Sequence, residues 1–296
     1  MTSRDTGRRA FLFGALALPL AACAHTDVKP TTPPGIDTAA ANARFATLEQ
    51  KYGARLGVYA LATDASVGYR AGERFAFCST FKTLAAAAVL DRFPLSHLDT
   101  VVPITKADVN SISPDTRQRI GQGMTIRQLC DAAIRDSDGT AGNLLMRDIG
   151  GPTQLTAHLR RLGDTVSRMD SYEPELNRGA PGDPRDTITP EAIAADYQRI
   201  VLGDALPPDK RSPVLDWLRR STTGGNTIRA GVPAGWIVAN KTGHGDYRRE
   251  NDVGIAWPPD GEPLVLAIFS DRAGYDTPPQ PALIAEAAAY LAGVLT

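Results

Sequence analysis

Leu264-Val265-Leu266-Ala267-Ile268-Phe269 is a run of six apolar residues set between polar turns, and its length and composition read as a β-strand. Two similar runs precede it, Trp236-Ile237-Val238-Ala239 and Asp252-Val253-Gly254-Ile255-Ala256-Trp257, each joined to the next by short polar turns. Far upstream, Leu56-Gly57-Val58-Tyr59-Ala60-Leu61 and Val67-Gly68-Tyr69 read as a strand pair around the Asp64-Ala65-Ser66 turn. A helix stands outside each group. Between Ala39 and Tyr52 the residues Phe45 and Leu48 recur at helical spacing up to Gly53, and Pro281 opens an Ala- and Leu-rich stretch reaching Leu295. The region from about Thr80 to Arg220 carries helical patterns instead, over 84–90, 126–134, 141–149 and 190–202. The expected fold class is therefore α/β plus all-α: an antiparallel five-stranded sheet flanked by helices over 39–78 and 221–296, with an all-helical domain inserted over 79–220.

Composition supports an enzyme-sized globular protein. The chain of 296 residues and 31.5 kDa is long enough to bury roughly three quarters of its unfolded surface. Its 32 basic and 33 acidic side chains leave a net charge of −1, which gives no basic field to hold a polyanion, so no nucleic-acid partner is expected. The four histidines, His25, His97, His158 and His244, are scattered, and no Cys or His pair has the short spacing of a zinc site; no metal and no cofactor are expected.

The first residues read as an address. Arg8-Arg9 precede an apolar run, residues 11–22, that is too short to span a bilayer but fits a signal peptide over 1–22. The paired arginines resemble a twin-arginine export signal, and Leu20-Ala21-Ala22-Cys23 resembles the lipoprotein box, in which Cys23 would be lipidated; the alternative reading is a plain signal cut after a small residue near Ala22 or Ala24. Residues 23–38 hold three prolines and no apolar periodicity, as a tether would. The expected location is exported and periplasmic, lipid-anchored through Cys23, with a monomer as the default state.

Four motifs carry the chemistry. Ser79-Thr80-Phe81-Lys82 sets a hydroxyl and an amine three apart at the opening of a helix, on one face and in the positive potential of its N-terminus. Serine needs a base within hydrogen-bond reach, and a desolvated lysine is one candidate. Taken alone, the same four residues also read as an N-cap serine followed by a solvated lysine. Ser137-Asp138-Gly139, Glu173-Pro174-Glu175-Leu176-Asn177 and Lys241-Thr242-Gly243 follow in order.

Together these motifs resemble the class A serine β-lactamase family, over essentially the whole chain from Ala39 onward, and imply the β-lactamase/penicillin-binding transpeptidase-like fold. The resemblance implies that Ser79 attacks the lactam carbonyl to form an acyl-enzyme, in an oxyanion hole made by the backbone N–H groups of Ser79 and His244. It makes Lys82 a partner in removing the serine proton and Ser137 a proton relay to the departing nitrogen. Lys241 and Thr242, on an edge strand beside Gly243, would hold the substrate carboxylate. Glu173, assisted by Asn177, would activate the water that releases the product, and the Glu173-Pro174 bond is expected to be cis. Two lysines facing one pocket oppose each other's protonation, which would favour a neutral Lys82. Antibiotic resistance follows as the expected biological role. The rival readings are a D,D-peptidase and a lipid-anchored penicillin sensor that stays acylated.

Several positions depart from the family pattern. Gly139 stands where Asn is usual, which removes an amide and is expected to shift substrate ranking. Ser171 replaces an arginine that would pair with Asp186, leaving Arg168 with Asp170, Arg178 or Arg185 to hold a catalytic loop expected to be unusually mobile. Thr227 replaces a carboxylate-binding arginine, for which Arg248, Arg249 or Arg272 would substitute. Ile112 stands in place of an aromatic at the cleft entrance, and His244 is an unusual, titratable neighbour of Lys241-Thr242-Gly243. Cys130 and Cys78 face Ala86 and Gly245 at the family's partner positions, so both are expected to be buried free thiols.

Overall fold

A computed structural model describes residues 1–2, 36–275 and 278–296. The Arg8-Arg9 pair, the apolar run and Cys23 lie outside the described residues.

Helix α1 (Thr38–Tyr52) is capped by Asp37, whose side chain accepts from Ala40 N at 2.9 Å, and stops at Gly53 with φ +56°. Strands β1 (Arg55–Leu61) and β2 (Ser66–Tyr69) form the expected hairpin, and a short β3 (Phe75–Ala76) leads into a 3₁₀ turn over Cys78–Thr80. The next elements are α2 (Phe81–Arg92), the two-residue pair β4 (Val101–Val102) and β5 (Met124–Thr125), α3 (Ile126–Arg135), α4 (Gly139–Asp148) and α5 (Pro152–Leu162). After β6 (Thr187–Ile188), which pairs with β3, come α6 (Pro190–Tyr197), a π turn over Gln198–Leu202, α7 (Pro208–Arg219) and the short α8 (Ile228–Gly231). Strands β7 (Ile237–Gly245), β8 (Arg249–Trp257) and β9 (Leu264–Asp271) and helix α9 (Ala282–Leu295) complete the order.

The five long strands make one sheet in the order β2-β1-β9-β8-β7, every neighbouring pair antiparallel, which is the predicted sheet. Strand β9 lies at its centre and explains the unbroken apolar run. Val265, Ala267 and Phe269 enter a core shared with α2 to α7, whereas Leu264, Leu266 and Ile268 enter a second core under α1, α8 and α9. With both faces covered, the usual alternation of apolar and polar residues has no reason to appear.

The expected stretches understate two strands. Strand β7 runs on from Ala239 through Lys241-Thr242-Gly243 to Gly245, and β8 starts at Arg249 because its polar half is buried and bonded. Asn251 Nδ2 donates to Ala76 O at 2.9 Å, and the Asp252 carboxylate accepts from Thr227 Oγ1, Ile228 N and Asn240 Nδ2. Desolvation raises Asp252 to about 6 despite these donors. Helices α5 and α7, outside the stretches singled out by periodicity, begin with Pro152 and Pro208 at the position where a missing N–H costs nothing.

The loop between Arg168 and Asp186 is fastened differently from expectation. Asp186 does have partners: Oδ1 accepts from the backbone N–H groups of Asp170 at 2.7 Å and Ser171 at 2.8 Å, and Asp186 N donates to Asp170 Oδ2 at 3.1 Å. Backbone amides thus occupy the acceptor positions that an arginine would fill. Arg168 pairs with Asp170 as expected, but Arg178 binds Glu175 and Arg185 binds Asp183, so neither substitutes at Asp186. Arg249, nearly fully buried, donates to Asn177 O at 3.1 Å and to Gly179 O, bracing the loop from the β8 side. Such fastening argues against unusual mobility. The amides of Asp170 and Ser171 are expected to exchange with deuterium no faster than those at the helix ends, and Asp186→Ala should raise their exchange at least tenfold, measured by NMR.

Candidate active site

The chain enters the site under backbone constraint. Cys78 takes φ +45° immediately before Ser79, and Ser137 takes φ +60° before the first turn of α4. Ser79 is not a helix cap: it lies in the 3₁₀ turn ahead of α2, whose N-cap is Thr80. The capping alternative for the Ser79-Thr80-Phe81-Lys82 motif therefore fails, and Lys82 is fully buried rather than solvated.

Ser79 Oγ donates to Glu173 Oε1 at 3.0 Å and accepts from Lys82 Nζ at 2.8 Å, while Lys82 Nζ lies 2.9 Å from the same Glu173 oxygen. Lys82 Nζ also donates to Ser137 O at 2.8 Å, and Ser137 Oγ accepts from Lys241 Nζ at 2.9 Å. Residues from α2, the turn before α4, the loop after α5 and strand β7 therefore meet in one connected hydrogen-bond network. Lys241 also donates to Thr242 O at 2.8 Å, and Thr242 Oγ1 shares a 2.6 Å hydrogen bond with Thr223 Oγ1.

The like-charge argument falls on Lys241. Burial, then the positive charge of Lys82, drive the Lys241 ammonium well below the ordinary lysine value. His244 is exposed on the rim, and desolvation followed by the charge of Lys241 holds its imidazole below the ordinary value, toward the neutral form.

Supports that the motifs did not announce hold these groups in place. Asn143 grips Glu173 from α4, its Nδ2 donating to Glu173 O at 2.8 Å and its Oδ1 accepting from Glu173 N at 2.9 Å. Asp138, fully buried, caps α4 through Ala141 N and accepts from Asp115 N, Thr116 N and Thr116 Oγ1. Strand β7 comes close to the 3₁₀ turn because it has glycines there. A Cβ at Gly243 would stand 3.1 Å from Cys78 Cβ and Phe77 O, and one at Gly245 would stand 2.8 Å from Cys78 Sγ. Cys78 and Cys130 are buried free thiols, and burial pushes the Cys78 thiol up to about 12. The Glu173-Pro174 bond is cis, as expected.

Glu173 Oε2 and Asn177 Oδ1 are buried without a hydrogen-bond partner among the described residues. Gly139 lies beside Glu173 Oε2, its N donating to Ile112 O at 2.7 Å, while the Ile112 side chain is exposed. Two of the three arginines expected to replace the one missing at Thr227, Arg249 and Arg272, are engaged elsewhere. Arg249 braces the loop, and Arg272 is buried against Arg248 O and Glu250, while Arg248 lies in the turn between β7 and β8. Thr227 itself is buried and donates to Asp252 Oδ2 at 2.5 Å. Among the described residues no group of three His, Cys, Asp or Glu side chains is arranged to hold a metal ion.

The sheet, the helical unit packed on it and the network between them define the penicillin-binding-like fold of the class A enzymes. Residues 40–294 match the profile of the β-lactamase enzyme family, and the chain belongs to that family. It is 55% identical to a β-lactamase of Mycobacterium tuberculosis over the whole of both chains, and 51% identical to the β-lactamase FAR-1 of Nocardia farcinica over 83% of this chain and 80% of that one. Among solved structures, the β-lactamase from Desulfarculus baarsii superposes with a TM-score of 0.85 at 44% identity, covering 88% of this chain and 98% of its own. The class A β-lactamase from Clostridium kluyveri does so with a TM-score of 0.82 at 46% identity, covering 84% and 95%.

Proposed function

We propose that the protein hydrolyses the amide bond of β-lactams through an acyl-enzyme on Ser79, with water activated by Glu173 releasing the product, and so confers β-lactam resistance. The observation that carries this reading is the position of Glu173: one carboxylate oxygen takes the Ser79 hydroxyl at 3.0 Å, while the other is buried, as Asn177 Oδ1 is, with its acceptor capacity unspent. A water donating one O–H to each acceptor would sit within reach of an acyl group on Ser79.

In the acylation step the Ser79 hydroxyl loses its proton to the Lys82–Glu173 pair and its oxygen bonds to the lactam carbonyl carbon. The negative charge that develops on the carbonyl oxygen falls to the backbone N–H groups of Ser79 and His244. Ser137 Oγ, bonded to Lys241 and 3.5 Å from Lys82, passes a proton to the ring nitrogen as the C–N bond breaks. Lys241 and Thr242 bind the ring carboxylate from β7. Deacylation reverses the roles: Glu173 takes a proton from water, the hydroxyl adds to the ester carbonyl, and Ser79 leaves with its proton restored. This assignment favours release over permanent capture, because the carboxylate has a free oxygen for a second proton transfer. A sensor that stays acylated would have no need of that oxygen.

Export through the Arg8-Arg9 leader and tethering to the membrane at Cys23 belong to the same proposal and rest on the leader's sequence; the protein would act as a monomer.

A chromogenic cephalosporin is expected to turn over many times per protein molecule, whereas one stoichiometric burst would show a penicillin sensor. Glu173→Gln should cut turnover at least a hundredfold and accumulate an adduct on Ser79 visible by intact mass; steady turnover in that variant refutes Glu173 as the base. The Lys241 ammonium is present at low pH and disappears as pH rises through its depressed pKa. KM for carboxylate-bearing substrates should therefore rise on the alkaline side, below the usual lysine range. Lys241→Arg, whose guanidinium keeps its charge, should abolish that rise, and an unchanged profile would count against it. Cys23→Ser should abolish radiolabelled fatty-acid incorporation in cells; retained label would place the lipid elsewhere.

A further inference from the structure

Asp196, on the last turn of α6, and Asp164, in the turn after α5, are buried carboxyl groups outside the reacting network, and their side chains are in hydrogen-bond contact with each other. Asp164 Oδ1 accepts from Val166 N at 2.8 Å and Ser167 N at 3.0 Å. Asp164 Oδ2 and both oxygens of Asp196 are buried without a hydrogen-bond donor among the described residues.

Two arginines bear on the pair without donating to those three oxygens. Arg160 spends its guanidinium on Asp164 O and Ser167 O, both at 2.6 Å, and stays 4.0 Å from Asp164 Oδ1. Arg199, in the π turn, lies 3.9 Å from Asp196 Oδ1 with its side chain half in water. What the pair lacks is therefore a proton. Two carboxylates in contact repel when both are ionised, and one proton between them turns the repulsion into a strong hydrogen bond. It belongs on Asp196, because Asp164 Oδ1 is already answered by two backbone N–H groups. Burial, and then the charge of Asp164, push the Asp196 carboxyl up to about 8.

The pair stands at the neck of the loop that carries Glu173. Arg168 and Thr187 close that neck by exchanging backbone hydrogen bonds at 3.0 and 3.1 Å. Asp164 lies just outside it on the incoming arm, tied to Ser167 N, and Asp196 lies on the helix into which the outgoing arm runs through β6. Contact between the two carboxyls joins the arms a second time. A surface cavity of about 340 Å³, lined by Asp164, Thr189, Glu191 and Arg199 among others, brings solvent to the pair and lets its proton exchange without unfolding.

We propose that Asp164 and Asp196 share one proton, and that this proton latches the neck of the Glu173 loop, which opens more readily once the proton is lost. In the unfolded chain Asp196 returns to the ordinary aspartate value of 3.8, so unfolding in weakly acidic solution releases the proton. The stabilisation is complete below that ordinary value and is lost as pH rises through about 8.

NMR of isotope-labelled aspartate carboxyls tests the proton directly. One resonance of the wild-type protein is expected to titrate near 8, and it should be missing in Asp196→Asn, whose amide donates to Asp164 at every pH. Unfolding at about pH 6 should release about one proton more from wild type than from that variant. Raising the pH from about 7 to about 9 should speed exchange of the Arg168 and Thr187 amides about tenfold relative to amides of α2 in the same sample, and should not do so in Asp196→Asn. The wild-type titration and exchange need no variant and decide the matter should Asp196→Asn fail to fold. No aspartate resonance titrating above about pH 7, or equal proton release from the two proteins, overturns the shared proton. Neck amides that keep pace with those of α2 in wild type, or that loosen alike in both proteins, overturn the latch.

Discussion

The Ser79 hydroxyl is held between two opposite charges that also touch each other, Lys82 and Glu173, in a setting from which water is nearly excluded. Burying such a pair is costly, and it persists only when both charges keep their partners; removing one typically costs about 3–5 kcal/mol because the other is left uncompensated. Much of the surrounding architecture serves that requirement. Lys82 is satisfied by Ser79, Ser137 O and Glu173, and the backbone of Glu173 is gripped in both directions by Asn143. The remaining carboxylate oxygen is left over, and a leftover acceptor beside a nucleophile is a chemical resource rather than a packing fault.

Two kinds of scaffold keep the groups converged. The helical side supplies rigid starts of helices: α2 carries Lys82 inward, and Asp138 welds the beginning of α4 to the 115–116 turn through four donors from three residues. The sheet side supplies an edge strand that approaches closely because Gly243 and Gly245 have no side chains to hold it away from Cys78. Lys241, on that strand, is a fully buried cation and reaches Ser137 across the gap. The positive φ of Cys78 and Ser137 places local backbone strain at the two residues where the helical side meets the reacting atoms.

How much of this the sequence disclosed follows from what each signal reports. Apolar runs report burial, so β1 and β9 were legible from hydrophobicity, whereas the start of β8 was not, because Arg249, Glu250 and Asn251 are buried polar residues whose partners come from distant segments. The motifs marked Ser79, Lys82, Ser137, Glu173, Asn177, Lys241 and Thr242, and folding brings Ser79, Lys82, Ser137, Glu173 and Lys241 into one network. Asn143 and Thr223 left no trace, since a lone amide or hydroxyl has no characteristic spacing and acquires meaning only from what lies opposite. Asp186 was misread for a related reason: looking for a charged side chain overlooked the backbone N–H groups of Asp170 and Ser171 that hold it. Arg249, taken for a ligand-binding cation, is a brace whose carbonyl acceptors are equally invisible in a string of letters.

The central position of strand β9 bears on how the chain comes to be assembled. Its alternate residues supply the floor of one core and the ceiling of the other, yet it follows the entire helical region in synthesis order. Helices α2 to α7 emerge from the ribosome before the strand that closes one side of their shared core, and β1 and β2 wait as a lone hairpin, too small to persist in water. Neither half can close until residues 264–271 slot between strands made some two hundred residues apart. A nascent chain that has not reached this point is a loose collection of sticky surfaces, and holding it apart from its neighbours is work for chaperones.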